Sequence, residues 1–70
     1  MVLKYNGFIG SIDYSGEDDM LFGEILYIDD LVTYEGKDLD ELKKNFKEAI
    51  DEYIELCKKH NKEPERSVSV

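Results

Sequence analysis

LVTYEGKDLDELKKNFKEAIDEYIELC, residues 31–57, decides the fold of this chain. Leu31, Val32, Thr33 and Tyr34 are good strand formers. Glu35-Gly36-Lys37 reads as a turn, and Asp38 then opens a helix. Leu39, Leu42, Phe46, Ala49, Ile50, Tyr53 and Cys57 recur at three- and four-residue steps, which makes one apolar stripe. Asp38 with Glu41 three residues on is an Asp version of the capping box. Asp38, Asp40 and Glu41 sit at the positive end of the helix dipole, and Lys58, Lys59 and His60 at its negative end. Asn61 is a natural C-terminal cap, and Pro64 prevents continuation. The spacing therefore predicts a helix over 38–60, about 35 Å long at about 1.5 Å per residue. A strand joined to such a helix by a short turn lets the helix lie across a sheet, with Leu42, Phe46, Ile50, Tyr53 and Cys57 facing it.

Upstream, residues 3–14 read as a first strand, with Phe8, Ile12 and Tyr14 on one parity and Tyr5 and Ile9 on the other. That imperfect alternation predicts a bulge near Gly7 or Gly10. Ser15-Gly16-Glu17-Asp18-Asp19 is a polar turn with Gly available for positive φ. Residues 20–28 read as a second, apolar strand, antiparallel to the first across that short loop. Asp29-Asp30 breaks it, residues 31–35 make a third strand, and Ser67–Val70 alternates as a short last one. The expected fold class is α+β: an antiparallel sheet with one helix packed on it, in the order β-β-β-α-β, as one domain over residues 1–70.

At 70 residues the core is small, so stability is marginal and self-association would help it. A homodimer or higher homo-oligomer is expected, through the open edges of a small sheet. The lone Cys57 forms no internal disulfide, and the expected compartment is a reducing cytoplasm. No apolar run is long enough for a signal peptide or a membrane span.

The net charge is −8 and unevenly placed. Residues 1–36 hold one base against eight acids, whereas residues 37–70 hold eight bases against nine. An acidic half repels phosphate backbones, which argues against direct nucleic-acid binding, and attracts a basic partner. It also keeps a small protein in solution. The loop acids Glu17, Asp18, Asp19, Asp29 and Asp30 are the candidate partner-binding residues, chosen for charge and loop position.

Catalytic and metal-binding constellations do not assemble in the sequence. Cys57 and His60 form at most half a zinc site, and Cys57 on the apolar stripe reads as a buried thiol. Glu17-Asp18-Asp19 lacks the spaced ligands of a calcium loop. No nucleophile–base motif and no glycine-rich phosphate loop is present, so neither catalytic residues nor a cofactor are expected. Strand-borne Asp13 and Glu24, with Asp29 beside them, leave a small metal-dependent nuclease as the alternative to a binding module. Tyr5, Tyr14, Tyr27 and Tyr34 all fall on predicted strands and suit core packing or a protein interface.

A set of short motifs, in order, resembles the HicB antitoxin family. They are Tyr5–Phe8, Glu17-Asp18, Phe22–Ile25, Ile28–Gly36, Leu39–Leu42, Phe46–Tyr53, Cys57 and Lys62–Pro64. The similarity runs from about Leu3 to Ser67. It implies a partial ribonuclease H fold of order β-β-β-α-β, without the activity of ribonuclease H. It also implies a role: binding a HicA-like toxin, a small basic ribonuclease, and blocking its RNA-facing surface. Residues 1–70 include no DNA-binding segment of the kind that follows this domain in the family, so operator binding is not expected of them. The chain also reads Ser67-Val68-Ser69-Val70 where Ser-Gly-Lys-Phe is common.

Overall fold

The computed structural model describes residues 2–63. Five strands precede one helix: β1 Leu3–Tyr5, β2 Phe8–Gly10, β3 Asp13–Ser15, β4 Met20–Glu24, β5 Thr33–Gly36 and α1 Leu39–Lys59. All pairings are antiparallel, in a two-stranded sheet β1-β2 and a three-stranded sheet β3-β4-β5. The fold class is α+β, with the helix on one face of the strands.

The single first strand expected over 3–14 is in fact three short ones. Asn6 and Gly7 both take positive φ, 51° and 82°, and form a two-residue hairpin loop between paired Tyr5 and Phe8. Asn-Gly suits such a loop because both positions need a left-handed backbone. A second break falls at Ser11-Ile12, between β2 and β3. The pairing register survives it: Gly10 bridges Ile25, the Ser11 N–H donates to the Glu24 carbonyl at 3.0 Å, and Asp13 faces Phe22. β2 and β3 therefore continue one antiparallel ladder along β4, kinked in the middle.

The second strand ends at Glu24 rather than at residue 28, because Tyr27 turns the chain with φ 62°. Tyr27 is thus in a loop and not on a strand. The third strand begins at Thr33 rather than 31, and Leu31 is 79% exposed. In the β3–β4 turn the positive φ belongs to Asp19, not to Gly16. The expected stop at Pro64 and the expected strand over 67–70 lie outside the described residues.

The helix follows its sequence pattern closely. Asp38 caps it, its carboxylate accepting from the Glu41 N–H at 2.8 Å. The Glu41 side chain accepts from Lys37 N–H at 3.3 Å, one residue further out than a standard capping box. At the other end the Lys62 N–H bonds the Cys57 carbonyl and the Asn61 N–H bonds Lys58, with Asn61 at φ 54°. That is a Schellman closure, with Asn in the place usually taken by Gly.

Leu42, Phe46, Ile50, Tyr53 and Cys57 are buried, with Leu3, Phe8, Ile25 and Tyr34 from the strands. Phe8 meets Tyr53 edge-on at 5.9 Å, and Tyr34 meets Phe46 at 5.1 Å. Gly36 lets the backbone of the first helical turn approach β5, and Asn45 Nδ2 donates to the Glu35 carbonyl at 2.6 Å. Tyr5 holds β1 to the helix, donating to Asp51 at 3.2 Å beneath the Lys47 ammonium.

Gly10 and Gly23 make room for Tyr34. A Cβ on Gly10 would overlap the Tyr34 hydroxyl and the Phe46 ring, and one on Gly23 would overlap the Ser11 carbonyl. Substituting Gly23→Ala is expected to cost about 1–3 kcal/mol through overpacking. Gly16→Ala, whose new methyl would meet the Tyr14 ring at 3.9 Å, is the near-neutral control. Urea unfolding followed by circular dichroism separates the two; equal midpoints would show that the close approach at Gly23 is not constraining.

Candidate functional site

Strand alternation gives the three-stranded sheet two unlike faces. Gly23, Ile25, Tyr34 and Gly36 are buried toward the helix. Asp13, Phe22, Glu24, Thr33 and Glu35 are exposed on the other side. Register sets their neighbours: Asp13 lies opposite Phe22, which lies opposite Glu35, and Glu24 lies opposite Thr33. With Ser11 and the edge of Tyr34 these residues line a groove of about 540 Å³. Three carboxylates thus surround one aromatic ring that is 42% exposed. Among the described residues none of the three carboxylates is paired with a cation.

The floor of the groove is an unusual hydrogen-bond exchange. The Glu24 N–H donates to the Ser11 hydroxyl at 3.0 Å instead of to the Ser11 carbonyl. That carbonyl accepts from the Tyr34 hydroxyl at 2.7 Å. The swap leaves both the Glu24 N–H and the Ser11 carbonyl hydrogen-bonded where the ladder kinks. Tyr34 is pushed up to about 12, chiefly by burial. The charges of Asp13 and Glu24 push the same way, and hydrogen bonding with the Ser11 side chain opposes them. The phenol is therefore neutral and structural at physiological pH.

The five loop acids expected to bind a partner do not gather. Glu17, Asp18 and Asp19 lie in the β3–β4 turn, and Asp29 and Asp30 in the β4–β5 connection, at opposite ends of β4. Asp19 accepts from the Tyr14 hydroxyl at 2.7 Å, which raises the Tyr14 pKa. Asp30 pairs with Lys62 at 3.0 Å. The Lys62 bond and one from Tyr53 hold its carboxyl below the ordinary range. Asp19, Asp29 and Asp30 thus each have an interaction inside the fold. Asp13 and Glu24 were visible in the sequence as strand acids. Glu35 and Phe22 joined them only once pairing fixed which strand positions face outward.

A second concavity, about 370 Å³, lies at the helix C-terminus between Leu31, Val32, Tyr53, Leu56 and Cys57. Its Cys57 is a buried free thiol, as expected, and His60 is the exposed C-cap. Among the described residues no group of three or more His, Cys, Asp or Glu side chains is placed to hold a metal ion. No helix among them is long and apolar enough to cross a membrane. No protein-family profile, curated protein or solved structure matches this chain.

Raising the phenol pKa in the folded state makes stability fall with alkali. The unfolded chain loses the Tyr34 proton near 10 and the folded chain near 12. The stabilisation is complete below pH 10 and is lost as pH rises through 12. Tyr34→Phe is expected to cost about 1–2 kcal/mol at neutral pH, because the Ser11 carbonyl loses its donor. It should also remove this share of the alkaline slope. Urea midpoints of both proteins from pH 7 to above pH 11 check it; parallel curves would refute the assignment.

Proposed function

We propose that this chain is a non-enzymatic binding module of the HicB type, which takes up a small basic HicA-like ribonuclease toxin and covers its RNA-facing surface. The observation that carries the reading is the uncovered sheet face on which Asp13, Glu24 and Glu35 ring Phe22. Solvent-exposed carboxylates with no cation beside them offer charge to a partner instead of spending it within the fold. A toxin that binds RNA must be basic where the phosphates sit, so an acidic platform competes for the same surface. The resemblance to HicB and the α+β layering support the same role.

The loop acids contribute at longer range. Glu17, Asp18 and Asp29 extend the negative field to both ends of β4, where they steer a basic protein toward the sheet. Asp19 and Asp30 add charge to that field while holding Tyr14 and Lys62.

Calorimetric titration with a basic HicA-like protein is expected to show one-site binding that weakens about tenfold or more between low and high salt. Absence of binding at low salt would end the proposal. Self-association is a separate reading, favoured by the apolar groove beside exposed Leu31 and Leu56. It predicts a sedimentation coefficient that rises with concentration and falls back on Leu31→Asp; a concentration-independent monomer would remove it.

A further inference from the structure

We propose that the open sheet face is an arginine-reading surface: Phe22 is a stacking platform for a guanidinium, and Asp13, Glu24 and Glu35 are the carboxylates that orient it. This deepens, and rests on, the reading of the chain as a receptor for a basic protein.

The starting point is an exception to the in–out alternation. The outward residues that line the groove are polar except Phe22, which sits on the central strand; Met20, on the same face of β4, is half-buried and lies outside the groove. The ring is left 42% exposed there, because the helix covers the opposite face. Its position relative to the acids is fixed by register. Asp13 and Glu35 lie directly across from it on either side, each about 4.8 Å away in strand spacing, and Glu24 lies two residues along. A carboxylate thus stands on each flank of the ring and a third near one end.

That arrangement suits one side chain better than any other. A guanidinium is planar, weakly hydrated and always charged, so it can lie on an aromatic face while its N–H groups fork to carboxylates at the edge. An ammonium satisfies the charge but is compact and strongly hydrated, and gains less from the ring. Other occupants fit worse. A second copy of this face would bring like charges together. Phosphate backbones are repelled by it. An apolar helix laid on it would bury three carboxylates without counter-charges.

The test uses the full chain, labelled with nitrogen-15, and two octapeptides of equal charge, alternating serine–arginine and serine–lysine. At low salt the arginine peptide is expected to bind about threefold to tenfold more tightly than the lysine peptide. Its amide shift changes should centre on β3, β4 and β5. Phe22→Leu is expected to erase the arginine preference while leaving the thermal midpoint close to that of the parent. Phe22→Tyr should keep the preference, since the ring remains. Asp13→Asn with Glu35→Gln should weaken both peptides. Equal affinities, an arginine preference that survives Phe22→Leu, or shift changes confined to residues 16–19 and 27–30 would overturn the arginine platform alone. Failure of both peptides to bind would overturn the basic-partner reading with it.

Discussion

The Tyr34 side chain is the pin on which the two small sheets close. Its ring lies against Phe46 in the core, and its hydroxyl reaches through the strands to the Ser11 carbonyl. Gly10 and Gly23 are bare where it passes, and the Ser11 hydroxyl fills the ladder bond that the carbonyl gives up. One residue of β5 thereby holds the kink between β2 and β3, the middle of β4 and the centre of the helix in a fixed relation. The hydrogen bond alone is a modest interaction. Its leverage comes from joining layers that have few other polar ties.

The same pin determines what the protein shows to solvent. Period-two alternation means that Tyr34 pointing inward sends Thr33 and Glu35 outward. Through register this fixes Phe22 and Glu24 on β4 and Asp13 on β3 as their neighbours. A slip of one residue would bury carboxylates and expose Tyr34 and Ile25. The core and the acidic face are therefore two consequences of one pairing, and the chemistry of the outer side is as tightly specified as the packing of the inner.

The helix was legible in the sequence because its signals agree: an apolar stripe at helical period, Asp38 at one end and Asn61 at the other, with charges matched to the dipole. The strands were less legible because each is three to five residues long, too short for alternation to be read reliably. Asn6-Gly7 looked like a bulge when it is a hairpin turn, and nothing in Leu26-Tyr27-Ile28 marks Tyr27 for a left-handed backbone. The candidate site was half legible. Counting charge found an acidic half, but loop position picked Glu17–Asp19 and Asp29-Asp30, which pairing places at opposite ends of β4. The outward trio needs the register, and the register is set by Tyr34 and the glycines, whose spacing carries no local signature. The family resemblance rests on motif order, and no profile match stands behind it.

Among the described residues nine hydrophobic side chains are buried, and five of them belong to the helix, which follows all five strands along the chain. During synthesis the hairpins therefore leave the ribosome with Leu3, Phe8, Ile25 and Tyr34 uncovered. A two-stranded hairpin is marginal at best by itself in water, and the apolar face of the three-stranded sheet has its cover in the helix. The strands gain their cover only once the helix through Cys57 has been made, so the domain closes around the helix and not strand by strand. Until then the uncovered strand residues travel with eight acids against one base in residues 1–36, and like charge of that density opposes contact between incomplete chains.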